Sequence, residues 1–220
     1  MSRYRAVLFD AYGTLIRLDR PAARLADAVR RRWDRELEPA DAAGAVRAEI
    51  AHYADGCRMA VDAASLQALR VECAHILTGS LGIDAGDDEA LRLLHDTIVL
   101  QPYPDAAEAL RTARGAGAAT AVVSNGDWSL AGALSDAGLR VDAVVDSATA
   151  GVAKPDPEIF RRALRLLGVA PAESLHVGDS EQTDGAGARA AGIEVVILDR
   201  SPSPRAGTIR SLAELAELLA

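Results

Sequence analysis

The chain predicts an α/β fold: a three-layer α/β/α domain with a parallel sheet, interrupted after its first strand by an inserted α-helical cap. Three observations carry this. A short apolar run, Ala6 to Phe9, reads as a buried strand. From residue 104 onward, helical and strand-like segments alternate, the pattern of parallel strands with helices on both faces. Between the two, from about Asp19 to Val99, no strand pattern occurs. The opening strand has no partner of its own, so it must join the later sheet.

Taken in order, the middle block predicts four helices. Pro21 suits a first helical position, and Leu25, Val29, Trp33 and Leu37 recur at four-residue steps. Pro39 breaks that pattern, and Val46, Ile50 and Tyr53 mark a second helix. Asp62 can cap a third, with Leu66, Leu69, Cys73 and Ile76 on one side and Gly79 at its end. Leu91, Leu94 and Ile98 mark a fourth, stopped before Pro102. The expected division is therefore a core of residues 1–17 and 100–220 and a helical cap of residues 18–99, lying over the carboxyl edge of the sheet. In the core, helices are expected around Ala106–Arg114, Ser129–Ala137, Pro157–Leu167 and Gly187–Ala191. Strands are expected at Ala118–Val123, Ala143–Asp146, Leu175–Val177 and Glu194–Leu198, and the tail Ser211–Leu219 reads as a helix.

Composition narrows the partners. At 220 residues, half hydrophobic and a quarter charged, the chain can build a good core plus a small second domain. A net charge of −8 argues against nucleic acid and anionic membrane. No apolar run approaches the roughly 20 residues of a membrane span, and Met1–Arg5 shows no signal-peptide pattern, so a cytoplasmic monomer or homodimer is expected. Cys57 and Cys73 lack metal-ligand spacing and read as buried or idle thiols.

Four polar clusters fall after strand runs or in the loops that follow them. They are Asp10 to Thr14, Ser124-Asn125-Gly126-Asp127, Lys154-Pro155-Asp156, and Gly178-Asp179-Ser180-Glu181-Gln182-Thr183-Asp184. Each has a plain structural alternative. Ser124 and Asn125 suit helix caps, Lys154 suits a solvated surface, and Asp179 and Asp184 could cap the helix that follows. In a parallel sheet, however, these loops share one edge, so a single site explains all four at once.

In this set of motifs the chain resembles the haloacid dehalogenase superfamily of hydrolases, mostly phosphate-transferring enzymes with an aspartate nucleophile. The four clusters follow that family's order, and the helical block sits where the family carries an inserted cap. The resemblance implies a Rossmann-like core and a Mg²⁺-dependent phosphatase acting on a small phosphorylated metabolite. It implies Asp10 as nucleophile, Ser124 and Lys154 as phosphoryl-holding catalytic residues, and Asn125 and Gly126 as substrate-binding residues. It further implies Asp10, the main-chain carbonyl of Tyr12 and Asp179 as Mg²⁺ ligands, with Asp184 in support. The chemistry is consistent: Asp10 beside Asp179 would repel, and a divalent cation with oxygen ligands removes the conflict.

One position departs from the phosphatase pattern. A second aspartate, acting as general acid, usually stands two residues after the nucleophile, and here that residue is Tyr12. Losing such a group typically costs about 10²–10⁴ in rate. The family's 2-haloacid dehalogenases do resemble this chain in carrying tyrosine there and a Ser-Asn pair at the second motif. Halide departure needs no proton, so a metal-free dehalogenase is the main alternative. Those dehalogenases resemble one another in having a neutral serine where this chain has Asp179, which favours the phosphatase. The missing acid would come from the cap, where His52, Tyr53, Arg58 and His75 are available, or be unnecessary for an easy leaving group. A non-catalytic binder of a phosphorylated ligand is a third possibility.

Other motifs fail on spacing. Gly185-Ala186-Gly187 with Gly192 misses a dinucleotide loop, no GxxxxGK[ST] occurs, and Val122 excludes a nucleophile elbow at Ser124. His52, His75, His95 and His176 lack zinc-like spacing.

Overall fold

The computed structural model describes residues 3–220; Met1 and Ser2, the first two residues of the expected 1–17 segment, lie outside the described residues. In chain order the elements are β1 (Ala6–Phe9), β2 (Ile16–Leu18), α1 (Pro21–Trp33), α2 (Pro39–Gly56), α3 (Ala63–Gly79), α4 (Asp87–Thr97) and β3 (Leu100–Pro102). There follow α5 (Ala106–Gly115), β4 (Ala119–Ser124), α6 (Leu130–Asp136), β5 (Ala143–Asp146), α7 (Ser147–Ala150) and α8 (Pro157–Leu167). The chain ends with β6 (Ser174–Gly178), α9 (Ala186–Ala190), β7 (Glu194–Ile197) and α10 (Leu215–Leu219). It divides into two compact units, one formed by the chain up to Arg17 together with Pro102–Ala220, the other by Leu18–Gln101.

The first unit is a five-stranded sheet in the order β5-β4-β1-β6-β7, and the pairings within it are parallel. The opening strand is its centre, with Ala6 beside Ala119 on one side and Ser174 on the other. Because strand side chains alternate, β1 feeds both faces. Val7 and Phe9 pack with Leu110, Leu130 and Leu215 on one face. Ala6 and Leu8 pack with Ile159, Phe160 and Ala163 of α8 on the other. All four residues of β1 are fully buried, as the continuous apolar run of a doubly covered parallel strand requires.

The Leu18–Gln101 unit holds α1 to α4 around their own core of Leu25, Val29, Val46, Leu69, Leu77 and Leu93. Asp62 caps α3 with a reciprocal capping box to Ser65. Two local expectations are corrected. Pro39 opens α2 rather than only breaking a helix, because a proline at the first helical position lacks an N–H that would be unpaired anyway. Ile50 is exposed, since the inner face of α2 runs through Ala42, Ala45, Val46 and Glu49. A short ribbon of β2 beside β3 carries the chain between the units.

A polar clamp steadies the loop after β1. Arg200 donates Nη1 and Nη2 to Asp105 at 3.0 and 2.8 Å, and Nη2 also reaches the carbonyl of Thr14 at 3.1 Å. Its guanidinium lies 3.9 Å from the centre of the Tyr103 ring. Asp105 additionally accepts from Ser211 Oγ and the Leu212 N–H. Burial alone would raise the Asp105 carboxyl, but Arg200 and Ser211 outweigh it and hold it below the ordinary value. Asp105→Ala strands the partly buried guanidinium and two further donors. It should lower stability by about 2–4 kcal/mol, measured as the urea midpoint at pH 7.

Candidate active site

Asp10 follows the last residue of β1 and is held at the sheet's carboxyl edge, its N–H donating to the Val177 carbonyl at 2.9 Å. Ser124 ends β4, Lys154 precedes α8, and Asp179 follows β6, so the strand order delivers all of them beside Asp10. Lys154 Nζ donates to Asp10 Oδ1 at 2.5 Å and to Asp184 Oδ1 at 2.6 Å. Ser124 Oγ donates to the same Asp10 oxygen at 3.2 Å, and Thr14 Oγ1 to Oδ2 at 3.4 Å. Carboxylate oxygens of Asp10, Asp179 and Asp184 lie within 4.8 Å of one another.

Two glycines make this convergence possible. Gly13 takes φ +84°, and a Cβ there would run into the Asp179 carboxylate. A Cβ on Gly178 would collide with Asp184. Asp184 tucks back under the end of β6 through a π-type turn, Glu181–Gly185, and its Oδ2 accepts from the Ser180 N–H at 3.1 Å.

The electrostatics are unbalanced. Three carboxylates face one ammonium, leaving two excess negative charges. At 4.8 Å each like-charged pair repels by roughly 3–4 kcal/mol at an effective dielectric of about 20. Burial drives Asp10 upward, opposed by Lys154 and reinforced by Asp184. Asp179 is pushed up to about 6, first by desolvation and then by the charges of Asp10 and Asp184. Burial also works against ionised Asp184, but the His176 hydrogen bond and Lys154 outweigh it and hold that group well below the carboxylate range. Lys154 loses charge stability by burial and regains more from Asp10 and Asp184, so it stays above the ordinary lysine value.

The other expected site residues take different places. The Asn125 amide is spent on the Lys154 backbone, donating to its carbonyl at 3.0 Å and accepting from its N–H at 2.7 Å. It holds the loop that aims Lys154. The Gly126 N–H donates to Ser147 Oγ at 3.1 Å. A Cβ on Gly126 would stand 3.4 Å from the Tyr12 ring, so that phenol lies over the glycine, half-buried. His52 and His75 sit in the Leu18–Gln101 unit, paired with Glu72 at 3.0 Å and Asp87 at 2.8 Å. Zinc spacing gives His176 no role in the sequence, yet the structure places it beside the site. Its signal was strand alternation: a polar residue between Leu175 and Val177 in a doubly buried strand needs a buried partner. It has one, Asp184, 2.9 Å from Nε2.

The donor set is oxygen throughout, which suits a hard divalent cation such as Mg²⁺. Asp10 and Asp184 each accept hydrogen bonds on both oxygens, Asp10 Oδ2 through a long 3.4 Å bond from Thr14, so lone pairs for a cation remain chiefly on Asp179 and on Asp10 Oδ2.

Similarity to known proteins agrees with this arrangement at family level. A sequence profile of the haloacid dehalogenase-like hydrolases matches residues 4–192. The chain is 33% identical over 235 residues to (S)-2-haloacid dehalogenase 4A of Burkholderia cepacia, covering 98% of this chain and 95% of that one. It is 42% identical over 129 residues to a phosphoserine phosphatase of Thermus thermophilus, covering 53% of this chain and 51% of that protein, so it spans about half the length of that relative. The crystal structure of a HAD phosphatase from Thermococcus onnurineus superposes with a TM-score of 0.64 at 26% identity, over 98% of each chain. Among the described residues no helix is long and apolar enough to cross a membrane. With four motifs on one sheet edge and a profile match over most of its length, the chain belongs to the haloacid dehalogenase-like hydrolase family.

Proposed function

We propose that this enzyme hydrolyses phosphate monoesters of small metabolites with Mg²⁺ as cofactor. The observation that carries the reading is the excess of two negative charges around Asp10, which one divalent cation matches. When bound by Asp10, Asp179 and the main-chain carbonyl of Tyr12, with Asp184 in support, that cation would supply charge neutralisation for an arriving phosphoryl group. The chain's own residues do the rest. Lys154 and Ser124 hold one oxygen of the Asp10 carboxylate and face the phosphoryl oxygens with positive charge and a hydroxyl. The Asp10 carboxylate attacks phosphorus in line, an O–P bond forms, and the bond to the leaving oxygen breaks. Water then hydrolyses the acyl phosphate, releasing inorganic phosphate and restoring the carboxylate. Tyr12, over Gly126, stands where the usual aspartate acid would be, so leaving groups that depart without protonation should be turned over best.

A second reading has its own support. The near-full-length likeness to a haloacid dehalogenase and the tyrosine at position 12 favour displacement of halide from a 2-haloacid by Asp10. Against it, an anionic haloacid would approach three carboxylates, of which Lys154 contacts two. One preparation tests both. Hydrolysis of p-nitrophenyl phosphate with Mg²⁺ should fall by about 10³-fold or more in EDTA, the several kcal/mol such an ion supplies. Halide release from 2-chloropropionate, undiminished by EDTA, would instead establish the dehalogenase.

A further inference from the structure

His176 is a buried titratable group that this mechanism leaves unused, and its surroundings are specific. Alternation along β6 turns Leu175 and Val177 toward one face and His176 toward the other, where α8 packs. The imidazole is fully buried and meets the Phe160 ring edge-on, centroids 4.9 Å apart and planes at 83°. Nε2 lies 2.9 Å from Asp184 Oδ1, the same oxygen that accepts from Lys154 Nζ at 2.6 Å. Lys154 in turn reaches Asp10 Oδ1 at 2.5 Å. Asp184 Oδ1 therefore sits between two donors, while Oδ2 is fixed by the Ser180 N–H.

We propose that His176 is a positioning residue for Lys154, holding the Asp184 carboxylate in the one rotation that places the ammonium against Asp10. An ionised carboxylate only accepts, so the imidazole must donate through Nε2–H. Among the described residues Nδ1 has no hydrogen-bond partner, and a bare lone pair in apolar surroundings costs less than a stranded N–H, which places the ring proton on Nε2. Without that donor the carboxylate keeps the Ser180 N–H on Oδ2 but loses one of the two bonds that set Oδ1, so Lys154 is held on one side by a less firmly placed partner. Groups that orient a site's primary residues commonly carry about 10–100-fold in activity. The inference rests on Lys154 as the charge partner of Asp10, which both readings of the reaction share.

The test compares His176→Leu with His176→Gln. Leucine keeps the apolar bulk and removes the donor, whereas the glutamine amide can present an N–H close to where Nε2 stands. Each variant is assayed on whichever substrate the wild type turns over, with melting temperature read alongside. Leucine should lower kcat about 10–100-fold with the fold retained, and glutamine should restore it to within a few-fold. A folded leucine variant with wild-type turnover overturns the proposal. So does a folded glutamine variant as impaired as leucine, because the role would then be packing. Should leucine fail to fold, a long-range ¹H–¹⁵N spectrum of the wild type decides. A proton on Nε2 with Nδ1 bare supports the proposal, and the opposite tautomer overturns it. That spectrum needs no activity, so failure of the phosphatase reading leaves it intact as a test.

Discussion

Asp10→Asn abolishes turnover, to below about one ten-thousandth of wild type, and leaves the fold as stable as before or more so. The two halves of this expectation have separate causes. An amide cannot form the ester with phosphorus or carbon, so loss of rate follows under either reading of the reaction. Stability is spared because the Asn Oδ1 can still accept from Ser124 and Lys154, the donors that reach Asp10 Oδ1 at 3.2 and 2.5 Å. Removing the charge also relieves the repulsion with Asp184, the source of part of the upward push on Asp10, and the push that Asp10 exerts on Asp179. Lys154 keeps Asp184 as its counter-ion. Initial rates on p-nitrophenyl phosphate and thermal unfolding in EDTA check the two halves. A stable variant that retains more than a few per cent of activity would place the nucleophile elsewhere.

The core was legible in the sequence because its signals are local. Ala6–Phe9, Ala143–Asp146 and Pro157–Leu167 appear at the expected residues, each a short apolar run or an amphipathic segment bounded by proline, glycine or aspartate. The convergence of Asp10, Ser124, Lys154 and Asp179 was legible for a topological reason: parallel strands put their following loops at one edge. What stayed hidden depends on contacts distant in sequence. The β2–β3 ribbon joins residues some eighty positions apart, and three-residue strands carry too little periodicity to read. Asn125 looked like a ligand-facing amide, and only the placement of residue 154 shows both its polar ends already used. Arg200 and Asp105, ninety-five residues apart, are each unremarkable alone and form a clamp only in the fold. His176 is the intermediate case: alternation signals a buried polar side chain, but its partner, eight residues on, is set by the π-type turn.

Lys154→Met carries the second large effect, and its dependence on conditions separates a metal site from a metal-free one. Methionine fills the space of the aliphatic stem but leaves Asp10 and Asp184 buried without their shared cation, their side chains only 5% and 1% exposed. Breaking a buried pair in this way typically costs about 3–5 kcal/mol. Turnover should fall by about 10³-fold, since the ammonium no longer offsets charge on the reacting group. The stability loss is pH-dependent with a definite sign. Burial already raises Asp10 above the ordinary value of about 3.9, and losing Lys154 raises it further. Stability tied to protonated Asp10 is fully present below that ordinary value and lost as pH climbs through the raised one. The variant should therefore approach wild type at pH 5 and diverge from it at pH 8. At pH 8 in EDTA the deficit stands alone. If Asp10 and Asp179 bind a divalent cation, millimolar Mg²⁺ recovers part of it, because binding to the folded state alone adds stability by mass action. Unfolding curves that superpose with and without Mg²⁺, for this variant and for wild type, would show that the excess negative charge is not met by a metal, and the phosphatase reading would fall with it.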